Sequence, residues 1–169
     1  MWKSQRGMSL VEIIIVIAIA GILTGASVMM FGHIRYANTQ KVVEAVDTAL
    51  SQLRASTMSR EGRQYLYIYR LSDGCYMKLL ADGTVTEVGQ SGVLDEDGTK
   101  LCGRGTEILR GDGTAVEGDE FIRVVYTKSG LFGTGAGSVP GINTDSIVIR
   151  GSGTYTIHLV SETGRHYID

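Results

Sequence analysis

The pattern of apolar and polar positions changes twice along the chain. Between Met8 and Phe31 almost every residue is apolar or small, and Glu12 is the only ionisable one. From there to about residue 60, apolar residues recur at steps of three and four, as on one face of an amphipathic helix. Beyond Gly62, short runs of alternating apolar and polar residues predict β-strands separated by turns. The sequence therefore predicts a long helix followed by a β-rich part.

We expect a single helix from near Ser9 to about Arg60, because no proline interrupts this stretch and Gly62 offers a stop. A helix of roughly 50 residues would be about 75 Å long. Two helices with a break near Gly32 are the alternative, since a glycine in a helix costs about 1 kcal/mol relative to alanine. The apolar stripe of the second half comprises Val42, Val46, Ala49, Leu50 and Leu53.

The alternating pattern in the β-rich part predicts a mainly antiparallel sheet packed on the helix. The runs QYLYIYRL (residues 64–71) and CYMKLL (residues 75–80) predict a hairpin whose turn is SDG, residues 72–74. Further short strands are expected near residues 85–88, 100–102, 107–109 and 120–132, with up to three in residues 145–169 and a loop at residues 133–144.

Three interpretations compete for the N-terminal apolar segment. A cleaved secretory signal would have an apolar core of roughly 7 to 15 residues, and this run is longer. A plain transmembrane anchor fits, because roughly 20 apolar residues span a bilayer and the preceding Lys3 and Arg6 favour a cytoplasmic N-terminus. That interpretation leaves Glu12 unexplained, since a carboxylate at the centre of a membrane costs at least about 2.5 kcal/mol.

The third interpretation accounts for Glu12. A short basic leader, the run GMSLVE (residues 7–12) and the long apolar segment together resemble the prepilin peptidase site of type IV pilins and pseudopilins. The resemblance implies cleavage between Gly7 and Met8 and methylation of the new Met8 amine. It also implies that Glu12 is the fifth residue of the mature chain, where that family has its glutamate.

The charges give this arrangement a physical reason. Cleavage creates a positive amine at Met8, and a neighbouring subunit shifted along the helix axis can bring that amine to Glu12. Four residues of helix rise only about 6 Å, so a small offset is enough. A buried ion pair offsets two desolvation penalties that neither charge could offset alone. We therefore expect Glu12 to set the register of assembly, as a polar residue does in a coiled coil.

The C-terminal end adds a second resemblance. The runs VVYTKSGLF (residues 124–132) and SETGRHYI (residues 161–168) are similar to the last strands of H-type minor pseudopilins and related minor pilins. The implied fold is α+β and pilin-like, with one long N-terminal helix, apolar in its first half, packed on a mainly antiparallel sheet. Its expected divisions are a leader (1–7), a transmembrane or fibre-core half-helix (8–31), an amphipathic half-helix (32–61) and a β-rich head (62–169).

The family resemblance implies a structural role. We expect a minor pilin or pseudopilin of a bacterial type IV pilus or type II secretion-like pseudopilus, held in the cytoplasmic membrane until it enters the fibre. The implied partners are the prepilin peptidase, other pilin subunits, an inner-membrane assembly platform and membrane lipid. The alternatives are an anchored extracytoplasmic binding domain that does not polymerise, and a minor pilin for DNA uptake.

Charge content bears on the expected partners, and cysteine content bears on the expected covalent cross-links. The formal net charge is −2, and removal of residues 1–7 leaves 14 of the 16 basic residues against 18 acidic ones, so we do not expect nucleic acid as a partner. Outside the cytoplasm, Cys75 and Cys102 could close a disulfide around about 27 residues, which stabilises by about 3 kcal/mol in a chain-entropy model. In the cytosol they would remain two buried thiols.

No catalytic set is apparent, so we expect neither an enzyme nor a cofactor. The histidines His33, His158 and His166 are scattered along the chain. Asp95 and Asp97 come nearest to a calcium loop, but the distant glutamate of such a loop is absent, so we expect an acidic turn and no metal. The runs RGD (residues 110–112) and GTGAGSVPG (residues 133–141) are expected to form a turn and a loop, since no helix follows the glycines.

Overall fold

The structure is a computed structural model. It describes residues 10–59, 62–81, 83–85, 87–89, 93–103, 105–135 and 140–169, except for the side chains of residues 25–36. The described chain contains one long helix, α1 (Leu10–Ser59), which has no break at Gly32. Its strands are β1 (Tyr65–Leu71), β2 (Gly74–Leu80), β3 (Thr99–Cys102), β4 (Glu107–Arg110), β5 (Ile122–Val125), β6 (Ser146–Arg150), β7 (Thr154–Val160) and β8 (Arg165–Ile168).

The backbone forms two compact units, one up to Arg35 and one from Tyr36 to the C-terminus. The first unit is helical throughout its described part. In the second unit, the predicted stripe on α1 is buried, and Val46, Leu50 and Leu53 have no exposed surface. Burying side chains of this size stabilises a fold by about 1.5–3 kcal/mol each, so the stripe anchors this part of the helix to the strands.

The strands form two antiparallel four-stranded sheets where the sequence predicts one. Sheet A has the order β3-β2-β1-β5, and sheet B has the order β4-β6-β7-β8. The main core lies among the helix stripe and one face of each sheet, with Leu66 and Ile68 from sheet A and Ile147, Ile149 and Ile157 from sheet B. The predicted α+β, pilin-like fold, a helix packed with antiparallel sheets, is therefore confirmed.

Most of the predicted strands are present. The hairpin turn between β1 and β2 is confirmed. Strand β1 pairs with β2 along its whole length, from Tyr65 opposite Leu80 to Leu71 opposite Gly74. The strands predicted near residues 100–102, 107–109 and 120–132 and the three near the C-terminus are β3, β4, β5 and β6–β8. The strand predicted at residues 85–88 is wrong, because the described residues there, 85, 87 and 88, are not in a strand.

That segment instead covers the second face of sheet A. Tyr65, Tyr67 and Tyr69 alternate along β1 on the face turned away from the main core, and all three are buried. They form a second apolar cluster with Val85 and Leu94, among others. Strand β1 is thus buried on both faces, and we call this second face, with Tyr65, Tyr67, Tyr69 and Tyr76, the tyrosine face.

Candidate functional site

The apolar segment of α1 between Leu10 and Leu23 is exposed on every side of the helix. All residues from Leu10 to Thr24 are exposed, and among the large apolar side chains the exposed fraction runs from 46% at Ile13 to 73% at Leu10 and Ile22. A monomeric soluble protein rarely presents a continuous apolar surface of this kind, which marks a contact with protein or lipid. We call residues 10–24 the apolar segment.

Glu12 is the only acidic residue in the first turn of α1, among the described residues of that turn. A negative charge is favourable near a helix N-terminus, where the unpaired backbone N–H groups carry partial positive charge. The other polar side chain near the end of the apolar segment, Thr24, donates its hydroxyl to the carbonyl of Ala20 at 2.7 Å, so it adds no unpaired group. Gly7 and Met8, the predicted cleavage and methylation site, lie outside the described residues.

Within the part of the chain that the structure describes, no helical stretch combines the length and the apolar character needed to cross a bilayer.

The two cysteines lie opposite each other in sheet A. Cys75 of β2 and Cys102 of β3 are paired across the antiparallel ladder, next to a bulge between Cys75 and Tyr76. Both are free thiols in the structure, and both are buried. The carbonyl of Thr106 lies 3.9 Å from Cys75 Sγ and 3.6 Å from Cys102 Sγ, and it accepts a hydrogen bond from Arg70 Nη1 at 3.2 Å. Strand pairing alone has thus brought the two predicted cysteines together.

The two thiols differ in their acidity. A hydrogen bond from the Cys75 thiol, with the positive charges of Arg70 and Lys100 nearby, lowers the pKa of Cys102 to about 7. The same hydrogen bond and burial raise the pKa of Cys75. Cys102 is therefore the thiol that more readily loses its proton. Arg70 and Thr106 could not be predicted at this site from the sequence, because they meet the thiols only through the packing of distant strands.

In the described residues, no cluster of three or more His, Cys, Asp or Glu side chains that could hold a metal ion occurs, and Asp95 of the acidic turn makes contacts within the protein. Asp95 Oδ1 lies 2.6 Å from Lys78 Nζ and accepts a hydrogen bond from the backbone N–H of Asp97 at 3.2 Å. Its carbonyl oxygen accepts the Tyr69 hydroxyl at 2.6 Å. The turn thus joins β2 to the segment that covers the tyrosine face.

Both charged side chains of the RGD tripeptide make contacts within the protein, Arg110 with the segment before β5 and Asp112 within its own turn. Arg110 Nη2 donates to the carbonyl of Phe121 at 2.8 Å and also pairs with Glu120. Asp112 Oδ1 accepts the backbone N–H of Thr114 at 2.8 Å. Arg123 likewise donates to the backbone carbonyls of residues 83 and 141. Arginines used in this way hold loops in place, which gives no support to a phosphate-binding patch.

The C-terminal hairpin is held against α1 by two polar contacts that the sequence analysis did not predict. His166 Nε2 lies 2.9 Å from Asp47 Oδ1, and Arg54 Nη2 donates to the carbonyl of Thr163 at 3.2 Å. These partners are far apart in the sequence, so no local pattern could have identified them. The contacts fix the position of the end of the chain on the helix.

Comparison with known proteins identifies the N-terminal segment. Residues 2–28 match a family described as the prokaryotic N-terminal methylation motif. The match supports a type IV pilin-like or pseudopilin-like precursor, processing by a prepilin peptidase and assembly with other pilins, and it does not distinguish the branches of that family. Searches of curated protein sequences and of solved structures return no match.

Proposed function

We propose that the chain is the precursor of a minor pilin or pseudopilin, a structural subunit of a type IV pilus or a type II secretion-like pseudopilus. The observation that carries the proposal is the exposed apolar segment with its single carboxylate, Glu12, inside the stretch that matches the methylation motif. A helix that exposes apolar side chains on all sides requires either lipid or other helices around it. A subunit that moves from a membrane into a fibre would meet each of these in turn.

Glu12 would act in the assembled fibre. Cleavage after Gly7 would place a methylated amine on Met8, and methylation of an amine keeps its positive charge. In the fibre, the Met8 amine of one subunit would pair with Glu12 of its neighbour, away from water. Because such a pair is stable only when both charges are present, it would fix the axial register of neighbouring helices.

The other parts of the chain follow from this role. Residues 1–7 would be the leader, residues 8–31 the membrane or fibre-core part, residues 32–61 the amphipathic half-helix and residues 62–169 the head. Before assembly the subunit would lie in the cytoplasmic membrane with its head outside, and an assembly platform in that membrane would insert it into the fibre. The role is structural, and it requires neither catalysis nor a cofactor.

Processing is tested by co-expressing the full chain with a bacterial prepilin peptidase and measuring its intact mass. We expect the loss of residues 1–7 and the addition of one methyl group to Met8. Gly7→Ala should retain the leader, whereas Gly21→Ala, which has no neighbouring atom within 4 Å of an added Cβ, should be processed normally. A mature chain that begins at another residue would contradict the proposed site.

Assembly is tested with Glu12→Gln, which removes the charge and keeps the shape of the side chain, in a strain that forms the fibre. We expect this variant to be cleaved normally and to be missing from the sheared fibre fraction. Glu12→Asp, which keeps the charge, should recover part of the incorporation. If wild-type protein is cleaved but never enters a fibre, the chain is an anchored domain that does not polymerise. Normal incorporation of Glu12→Gln would refute the ion pair alone.

A further inference from the structure

We propose that Cys75 and Cys102 close into a disulfide by thiol–disulfide exchange that begins at Cys102, and that this bond fastens strand β3 to sheet A. Formation of the bond in the cell rests on the proposed function, because that function places the head outside the cytoplasm, where disulfides persist. The order of reaction rests on the position of the two thiols in sheet A and on their exposure.

The pairing geometry suits a disulfide. Residues directly opposite each other in an antiparallel ladder have Cα atoms about 4.5–5.5 Å apart. Disulfides need Cα atoms about 4.4–6.8 Å apart, so the pairing of Cys75 with Cys102 is compatible with a bond between them. Gly74 permits the close approach of β3, because a Cβ on Gly74 would overlap the carbonyl of Cys102.

The site also tolerates the loss of the two thiol protons. Oxidation removes both S–H groups and with them any hydrogen bond from a thiol to the Thr106 carbonyl. Arg70 Nη1 continues to donate to that carbonyl at 3.2 Å, so the buried oxygen keeps a hydrogen bond in either redox state. The backbone around Thr106 therefore needs no new partner when the bond forms.

Cys102 is the thiol that reacts first. It is the last residue of an edge strand, it is 8% exposed, and it is followed by the exposed Gly103, whereas Cys75 lies in an interior strand and is 0% exposed. The hydrogen bond from Cys75 also lowers the pKa of Cys102, which favours the reactive thiolate. Cys75 donates that hydrogen bond and keeps its proton until the second step.

The reaction needs a disulfide as the oxidant, either a small molecule or an exported dithiol–disulfide protein. The Cys102 thiolate attacks one sulfur of the oxidant, which forms a mixed disulfide and releases one thiolate. That thiolate takes the proton of Cys75, and the Cys75 sulfur then attacks Cys102 Sγ and releases the second thiolate. Two protein thiols are oxidised, and one disulfide is reduced to two thiols.

The bond would close the chain around residues 76–101. This stretch includes β3, which has only four residues, and the described parts of the segment that covers the tyrosine face. A covalent link at Cys102 would tie the end of β3 to β2, so it would oppose opening of this sheet edge and of the cover next to it.

The test uses the full chain, reduced in detergent and treated with oxidised glutathione. We expect the wild type to lose two hydrogens in its intact mass, with no lasting glutathione adduct. Cys75→Ala should keep one adduct, and Cys102→Ala should form its adduct at least about tenfold more slowly, because Cys75 lies in an interior strand and has no exposed surface, whereas Cys102 ends an edge strand. Circular dichroism confirms that each variant is folded.

A second measurement avoids the variants. Limited iodoacetamide labelling of the reduced wild type, followed by peptide mapping, should modify Cys102 before Cys75, because Cys102 ends an edge strand and Cys75 has no exposed surface. A lasting mixed disulfide in the wild type, or first labelling at Cys75, would overturn the proposal. Because purified protein needs no export, closure in vitro together with reduced thiols in cells would refute the proposed location and leave the thiol chemistry standing.

Discussion

At the residue scale, two buried tyrosines show how differently one hydroxyl group can act. The Tyr69 hydroxyl donates to the carbonyl of Asp95 at 2.6 Å and holds the acidic turn on the tyrosine face. The Tyr126 hydroxyl is buried and has no hydrogen-bond partner among the described residues, while its ring stacks on Phe132 at 4.5 Å. A buried polar group without a partner costs about 1–3 kcal/mol of folding free energy, so removing the Tyr126 hydroxyl should stabilise the fold.

We therefore expect opposite effects from the same substitution. Tyr126→Phe should raise the free energy of unfolding by about 1 kcal/mol, because it removes the unpaired hydroxyl and keeps the ring. Tyr69→Phe should lower it by about 1 kcal/mol, because it removes a made hydrogen bond. Urea unfolding of the two variants measures both changes. Destabilisation by Tyr126→Phe would show that its hydroxyl has a partner after all.

The same tyrosines give a pH dependence with a defined sign. Burial raises the pKa of Tyr69 and of Tyr126 from 10.0 to about 12. The folded state therefore favours the protonated tyrosines more strongly than the unfolded state does. The stability that this preference provides is complete below pH 10.0 and is lost as the pH rises towards 12. Either phenylalanine variant should thus lose less stability than the wild type over that range.

At the level of single residues, the sequence signals were local ones. Glu12 was identified because it is the one charge in an apolar run, and Cys75 and Cys102 because each is a rare residue type. The residues that contact the two cysteines could not be predicted from the sequence. Arg70 and Thr106 contact the thiols only after the strands have paired, and neither composition nor spacing can predict such a contact.

At the element scale, the tyrosine face depends on glycines that lie against its rings. A Cβ on Gly83 would come closer than 3.0 Å to three atoms of the Tyr65 ring. The Gly83 carbonyl also accepts a hydrogen bond from Arg123 Nη1 at 3.1 Å, which fixes the backbone there. The close approach of this segment to sheet A therefore requires glycine at residue 83.

We expect Gly83→Ala to destabilise the fold by about 1–3 kcal/mol, the usual cost of forcing an extra methyl group into packed surroundings. The matched control is Gly103→Ala, whose Cβ would meet nothing within 4 Å and whose effect should stay within about 0.5 kcal/mol. Both substitutions restrict the unfolded chain equally, so their difference reports the contact with Tyr65. Equal unfolding midpoints in thermal denaturation would contradict this packing.

The same face explains the one strand that was wrongly predicted. The run QYLYIYRL alternates tyrosine with aliphatic residues, and tyrosine is compatible with either a buried or an exposed face. The alternation therefore does not show whether the face that carries the tyrosines is covered. Because both faces are buried, residues near Val85 and Val88 are apolar for a different reason, which is that they cover the tyrosines.

At the scale of the whole molecule, burial and exposure are separated along the chain. Where the structure describes side chains, every buried residue is at Thr39 or later, whereas residues 10–24 are all exposed. The sequence predicted this separation, because an apolar run with one charge and an amphipathic stripe are distinct local patterns. It could not predict that the strands divide into two sheets, since that division depends on which strands pair.

This separation predicts that the second unit, from Tyr36 to the C-terminus, folds without the apolar segment. A chain of residues 36–169 keeps every buried residue of the described core, so it should be soluble and monomeric. Its thermal midpoint should lie within about 4 °C of the full chain in the same detergent, which corresponds to a change of about 1 kcal/mol. Circular dichroism and size-exclusion chromatography provide the two measurements.

The control shortens the chain further, to residues 47–169, and so removes the buried Val42, Val43 and Val46. Losing three buried valines costs roughly 5 kcal/mol, which is comparable to the whole stability of many domains. We therefore expect this shorter chain to be unfolded or aggregated while the longer one remains folded. If the 36–169 chain also fails to fold, residues before Tyr36 contribute to folding as well as to assembly, and the apolar segment would have a second role within the monomer.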